Sequence, residues 1–292
     1  MIWRKLLAGA AALLLASCGE PSPPSTQVER PLLWQIARAD GEVEGWLYGT
    51  IHALPDGVEW RSPTLQRVIG RADFLVVEVA DLKNSAAIGE EFQRAGRSTG
   101  HPLLRDRVDP AKVAQLNELT GRTAYSASEF RQIETWAAAL MLAQTINNGL
   151  ESENGVDRAL LGDFGNRQVI ELEGAAAQFA IFDALAEEDQ RVLLDAVIDE
   201  AAAGGLTPNA AQVWLSGDVA MLERETQTGM LADPEVRDAL LVRRNSEWTD
   251  RIAALLADDR RPLVAVGAAH LVGVDGLIAL LERKGYRLRR LQ

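Results

Sequence analysis

The sequence predicts an α/β fold: a mixed central sheet built from both ends of the chain, with a large helical insertion between them. Two distant segments share one layout, Trp46-Leu47-Tyr48-Gly49-Thr50-Ile51-His52 and Leu263-Val264-Ala265-Val266-Gly267-Ala268-Ala269-His270. Each is an apolar run of strand character ending in Gly-x-x-His. Each is followed by a loop, a helical stretch and another strand, so strand, Gly-x-x-His, helix, strand occurs twice and reads as a distant internal duplication. Between them, apolar residues recur at three- and four-residue spacing, interrupted by one strand-like run at 168–173.

The elements follow in chain order. Arg4 and Lys5 precede an apolar stretch at 6–16 that is too short to span a bilayer, which makes residues 1–17 a signal peptide. It ends in Leu15-Ala16-Ser17-Cys18, which resembles the lipobox of bacterial lipoproteins, so Cys18, the one cysteine of the chain, is the expected lipidation site. Gly19, where an aspartate would signal retention, favours the periplasmic side of the outer membrane. Residues 18–30, with Pro21, Pro23 and Pro24, form an extended tether. Residues 31–292 form the folded domain, whose stability must come from its core because no internal disulfide is available.

Within that domain, residues 32–39 and 44–48 form a hairpin turned at Asp40-Gly41. A helix at 62–70 leads into a strand at 74–79. Helices are expected at 109–120, 128–147, 187–203, 209–224 and 233–256, the last opened by Asp233-Pro234, with another helical segment around 156–163. A helix at 276–284 and a strand at 286–291 close the chain.

The formal charge is −12, and loss of Arg4 and Lys5 with the leader makes the remainder two charges more negative. Nucleic acid is excluded as a partner, since its binding depends on Lys and Arg neutralising phosphates. Charge-driven binding to anionic lipid is excluded on the same ground, so membrane attachment falls to acyl chains on Cys18.

His52 and His270 lead the candidates for chemistry. A histidine just past a strand end lies where α/β sheets hold their ligands, and imidazole is both a common metal ligand and a base near neutral pH. Either one alone reads as a loop histidine bonded to a carbonyl; the repeated context argues for an inward-facing pair. His101 lacks a preceding strand and reads as a surface loop residue. Glu78 sits in a strand otherwise made of Phe, Leu and Val, where a lone buried carboxylate is costly. It either meets solvent or faces a site that compensates its charge. Glu173 poses the same question, with Glu171 making a solvated acidic face the alternative. On 233–256, Leu241, Trp248, Ile252 and Leu255 form an apolar stripe on which Asn245 falls, next to Arg244. Such a polar pair serves a site or ties the helix to a loop, and the tie is the plainer reading. Two imidazoles with one or two carboxylates suit a first-row metal ion, Mn, Co, Zn or Fe. No HExxH helix, cysteine cluster, EF-hand loop, Gly-x-Ser-x-Gly elbow or P-loop occurs, so seryl-hydrolase and nucleotide readings have little support.

The segments 47–52, the strand ending at Glu78, Asn154-Gly155-Val156-Asp157, Glu171-Leu172-Glu173-Gly174, 244–248 and 266–273 fall in an order that resembles the TraB/GumN family, bacterial relatives of the Tiki membrane-tethered proteases. The resemblance covers about residues 31–292. It implies an α/β fold in which two GxxH motifs and acidic residues converge. Through the Tiki members it implies a metal-dependent peptidase using Mn or Co. Carried over by motif, His52 and His270 would be metal ligands and Glu78 their acidic partner, as ligand or general base. Glu173 and Arg244 would line the same pocket, Arg244 placed to stabilise an oxyanion or orient a carboxylate. The family often has threonine after the second glutamate, where this chain has Gly174. The cofactor implied is a divalent ion (Mn, Co or Zn) and the partner a peptide or protein substrate. The rival reading is a lipid-anchored protein that captures peptide or metal without chemistry.

Overall fold

The computed structural model describes residues 30–82, 84–146, 149–204 and 209–292. The expected signal peptide at 1–17, Cys18 and all of the tether but residue 30 lie outside the described residues. Among the described residues no helix is long and apolar enough to cross a membrane.

Six strands form one sheet: β1 (Leu33–Ala37), β2 (Val43–Thr50), β3 (Phe74–Val77), β4 (Val169–Glu171), β5 (Pro262–Gly267) and β6 (Arg287–Arg290). Their spatial order is β4-β3-β5-β2-β1-β6. The helices are α1 (Pro63–Arg71), α2 (Ser85–Ala95), α3 (Val113–Thr120), α4 (Thr135–Ala143), α5 (Val156–Phe164), α6 (Ala175–Asp183), α7 (Glu187–Ala202), α8 (Asn209–Ser216), α9 (Val219–Glu225), α10 (Pro234–Arg237), α11 (Arg243–Leu256) and α12 (Leu277–Arg283).

The two Gly-x-x-His strands are parallel neighbours at the centre of the sheet, with Gly49 opposite Val266 and Thr50 opposite Gly267. β3 runs parallel to β5 on one side and to β4 on the other, while β1 is antiparallel to both β2 and β6. The chain leaves β2 through α1, passes β5 and enters β3. It leaves β5 through α12 in the opposite direction, passes β2 and β1, and ends in β6. Connections that diverge from adjacent parallel strands open a crevice beyond the strands' carboxyl ends. Both histidines follow those two ends.

Local chemistry explains the elements that frame the crevice. Ser62 caps α1, accepting from the Leu65 N–H at 2.9 Å, with Pro63 in the first turn. Asp233 caps α10 in the same way, ahead of Pro234. β3 and β5 are buried along their length apart from Gly267, as strands covered on both faces must be, and this accounts for their unbroken apolar runs. Arg287, Arg289 and Arg290 charge the edge strand β6, which discourages further pairing.

The structure departs from the sequence-based elements in ways that matter for the site. The strands expected at 74–79 and 168–173 stop at Val77 and Glu171, so Glu78 and Glu173 lie just past two strand ends. The helix expected at 209–224 breaks into α8 and α9 at Gly217, whose φ is 61°. The one expected at 128–147 becomes a 3₁₀ turn (Glu129–Gln132) and α4, and 109–120 opens as a 3₁₀ turn (Pro110–Lys112). The helix at 233–256 runs on from α10 to α11 through a π-turn over Asp238–Val242. α2 and α6 have no counterpart among the expected helices; both are half-buried, and Phe92, Phe179 and Phe182 pack their rings on Trp136 and on one another.

The helical insertion has its own core around Trp136, Leu142, Leu193, Leu194 and Phe130, apart from the core beneath the sheet. Arg107 sits in it at 1% exposure. Its guanidinium donates to the carbonyls of Pro102 (2.9 Å), Phe130 (2.6 Å) and Ile133 (2.8 Å) and to Thr135 Oγ1 (3.3 Å). Removing it strands three carbonyls away from water. Arg107→Ala is expected to cost about 3 kcal/mol or more in chemical denaturation, with amide exchange accelerated in α3, α4 and α7 before the sheet. Equal acceleration in β2 and β5 would contradict a separate insertion core.

Candidate active site

His52 follows β2 and is held by an acid from another element. Gly155 lets the start of α5 come up against the strand end: a Cβ there would stand 2.4 Å from the His52 carbonyl, and the Val156 N–H donates to Ile51 O at 2.9 Å. This brings Asp157, in the first turn of α5, under the loop. Asp157 accepts from Thr50 Oγ1 at 2.7 Å through one oxygen and from His52 Nδ1–H at 2.8 Å through the other. Among the described residues the Nε2 atom of His52 has no hydrogen-bond partner. The charge of Asp157, with its hydrogen bond to the ring, raises the His52 pKa to about 9. The ring is 69% exposed, so the ion pair adds little to stability.

His270 has the opposite environment. It closes a 3₁₀ turn (Ala268–His270) and is 5% exposed. Asn245 Nδ2 donates to Asp275 O at 2.8 Å, which orients the amide so that its oxygen faces His270 Nδ1 at 2.6 Å. His270 therefore carries its proton on Nδ1, and Nε2 accepts from Arg244 Nη1 at 3.2 Å. Trp248 lies against the imidazole, ring centroids 4.4 Å apart, and against the guanidinium at 4.6 Å.

Arg244 is the hub. Its Nε and Nη2 atoms form a fork on Glu173, both closest contacts 2.9 Å. Nη2 also donates to Glu78 Oε2 at 2.9 Å, and Nη1 to Leu240 O at 3.0 Å as well as to His270. A guanidinium has five hydrogens, and these contacts use them all. With these contacts made, Arg244 holds both carboxylates and has no N–H left to offer another group. Glu173 is not on a solvated face, its side chain being 8% exposed and doubly bonded. Arg244 and Asn245, read first as a helix–loop tie, make that tie through Asp275 and also place Glu78, Glu173 and His270.

Glu78 completes the cluster. Its Oε1 accepts the Gly267 N–H at 2.8 Å, and its Oε2 accepts from Arg244 and from Gln178 Nε2 at 3.1 Å. Burial opposes its charge, but His270, His52, Arg244 and the Gly267 N–H outweigh burial and hold the carboxyl at about 2. Burial pushes His270 down to about 3 despite Glu78, with Arg244 and His52 adding to the shift. His270 is then neutral near pH 7, and the cations acting on Glu78 there are His52 and Arg244.

The two motif glycines do different jobs. A Cβ on Gly49 would stand 3.1 Å from Ala268 Cβ, so this glycine admits the turn that carries His270. A Cβ on Gly267 would stand 3.3 Å from Glu78 Oε1, 3.7 Å from His270 Cδ2 and 3.9 Å from His52 Nε2. The two histidines and the glutamate look onto one small space beside Gly267. His101 is elsewhere, in the insertion, with Nε2 3.4 Å from Glu134 and its side chain only 17% exposed, so it is more enclosed than a surface loop residue.

As arranged, these residues do not fit a divalent ion on His52, His270 and Glu78. Arg244 takes His270 Nε2 and Glu78 Oε2, and Gly267 takes one lone pair of Oε1, which leaves His52 Nε2 as the one wholly free ligand atom of the three. Among the described residues no three His, Cys, Asp or Glu side chains form a group that could hold a metal ion. Sequence reasoning missed Asp157, Gln178 and Thr50 as contributors. Asp157 had a signal, an acid after Asn-Gly-Val at a helix start, where its side chain is turned toward the preceding strand.

Glu78 and His270 bind fewer protons folded than unfolded in acid, so both make stability fall as pH drops. For His270 the loss runs from about 6.5 down through about 3, and for Glu78 from about 4.5 to about 2. The thermal midpoint should therefore decline from pH 7 to 3, and His270→Gln should flatten the upper part of that decline. An unchanged slope in the variant would show that His270 titrates normally.

The profile of the TraB/PrgY/gumN family matches residues 32–290. No curated protein and no solved structure matches the chain. The matched span contains the whole of the Glu78–Glu173–Arg244–His270 cluster and the His52–Asp157 pair, and the chain belongs to the TraB/PrgY/gumN family.

Proposed function

We propose that the crevice hydrolyses peptide bonds, using a water activated between His52 and Glu78. One observation carries the reading: beside Gly267 lie two atoms without a protein partner among the described residues, His52 Nε2, an acceptor once the ring gives up its second proton, and the remaining lone pair of Glu78 Oε1. A water there gives one proton to His52 Nε2 while Glu78 holds the other, and its oxygen attacks the scissile carbonyl carbon. The tetrahedral adduct collapses as His52 returns the proton to the departing amine. Asp157 keeps His52 in the Nδ1–H form and stabilises the imidazolium, and the saturated Arg244 fixes Glu78. The enzyme would act from the cell envelope, held by lipid on Cys18, on peptide or protein substrates.

A mass-spectrometric screen of the full-length chain against a peptide library tests this. His52→Ala and Glu78→Gln should each lower turnover by about 10²–10⁴-fold. Because His52 works as a base only when deprotonated, the rate should rise with pH along a limb above the ordinary imidazole value. Asp157→Asn should move that limb to lower pH while slowing the maximum. Saturable peptide binding without turnover would instead favour a lipid-anchored capture protein.

Gly267→Ala is a sharper probe. The φ of −48° and ψ of 133° suit alanine, so the added methyl occupies the water's place without backbone strain. The variant should lose at most about 1 kcal/mol of stability and at least about tenfold in kcat. Wild-type turnover in this variant would place the attacking water elsewhere.

A further inference from the structure

A cavity of about 270 Å³ opens where the His52 loop meets the start of α5. It begins close to the proposed base. Leu54, on one wall, follows His52 by two residues, a span of at most about 7 Å. Asn154, on the other wall, precedes Gly155, whose Cβ position lies 2.4 Å from the His52 carbonyl. Leu54 and Glu151 exchange backbone hydrogen bonds at 3.3 and 3.0 Å, which fixes one wall against the other. The apolar surface of the cavity comes from Leu54, Pro55, Val58, Ala159 and Trp60. Trp60 is 7% exposed and is backed by Tyr48 and Trp214, at centroid distances of 6.4 and 6.3 Å.

The polar side chains around the cavity offer acceptors. Asn154 spends its Nδ2 hydrogens on Leu54 O (3.2 Å) and Asp56 Oδ1 (2.8 Å), which leaves Oδ1 as its remaining group. Glu59 and Glu153 are exposed, and among the described residues neither carboxylate makes a hydrogen bond or an ion pair. The one cation of the lining, Arg61, is paired with Asp163 and lies over the Trp60 ring at 4.5 Å. Apolar walls with carboxylates at the rim suit a side chain that has a methylene stem and a cationic head. The net charge of −12 draws peptides bearing such side chains toward the chain.

We propose that this cavity is a subsite for a lysine or arginine side chain, so that the chain acts on basic peptides. Under the hydrolase reading His52 returns its proton to the departing amine. The residue that supplies this amine then lies nearest the His52 loop, and it is the one that carries the basic side chain. Only that placement rests on the hydrolase reading; the preference of the cavity for a cation stands apart from it.

The test measures binding to the full-length chain in detergent by fluorescence anisotropy. The probes are labelled, end-blocked peptides Ala-Ala-X-Ala-Ala, with lysine, norleucine or glutamate at X. The lysine peptide should bind at least about tenfold more tightly than the norleucine peptide, which keeps the stem and lacks the charge, and the glutamate peptide should bind most weakly. Glu59→Gln together with Glu153→Gln, both at exposed positions, should bring lysine to within about twofold of norleucine. Ala159→Leu fills the cavity with a good helix former and should weaken lysine and norleucine alike by about tenfold. Equal binding of lysine and norleucine by the native chain overturns the inference, as does a lysine preference that survives the paired substitution. A lysine preference that the paired substitution removes, with no turnover of any peptide, keeps the subsite and overturns the hydrolase reading. Cleavage of library peptides with no enrichment of lysine or arginine on the amine side of the cut keeps the hydrolase and overturns the subsite.

Discussion

The parallel pairing of β2 with β5 is the constraint on which the rest depends. It joins segments more than two hundred residues apart and puts Gly49 and Gly267 at one end of the sheet, one register step apart. Because the connections from these two strands diverge, side chains from three further places meet beyond the strand ends. Glu78 comes from the end of β3, Glu173 from beyond β4 and Arg244 from the start of α11. Each depends on the sheet for its position, and Arg244 in turn fixes the other two. The pairing is wholly non-local, so the loop-closure cost is met before any of the site's electrostatics can form.

Two copies of one motif yield two different groups. His52 is exposed, paired with a carboxylate and basic; His270 is enclosed, paired with an amide and neutral. The difference lies in the element that packs against each ring, not in Gly-x-x-His. Asp157 is brought by α5, admitted by the missing side chain of Gly155. Asn245 is brought by α11 on a stripe otherwise apolar. Identical side chains are thus pushed apart in proton affinity, His52 upward by the charge of Asp157 and His270 downward by burial.

The strands, the paired histidines and Glu78 as a candidate were legible because they leave local marks, apolar runs, a repeated tetrapeptide and an acid in an apolar strand, whereas the meeting of Glu78, Glu173 and Arg244 was expected only through the family resemblance. The charge state of each group was not legible. The saturation of Arg244 depends on the turn geometry at 238–242 and on two carboxylates that precede it by 71 and 166 residues, and no local pattern records these. Gly174 illustrates a mark that was visible but not decipherable. Its φ of 85° and the Glu171 carboxylate 3.0 Å from its Cβ position explain glycine there, where the family often has threonine.

The π-turn has a consequence for how this chain tolerates change in length. A helix measures angle by counting residues, about 100° for each, and the widened turn inserts one extra count between the capped start at Asp233 and the guanidinium. Substitutions on the outer face of that stretch leave the count intact. Removing a single residue, even an exposed one, would rotate Arg244 and Asn245 together away from the crevice while the helix itself remained continuous. Spacing along 233–244 is thus inherited as a number more than as a composition.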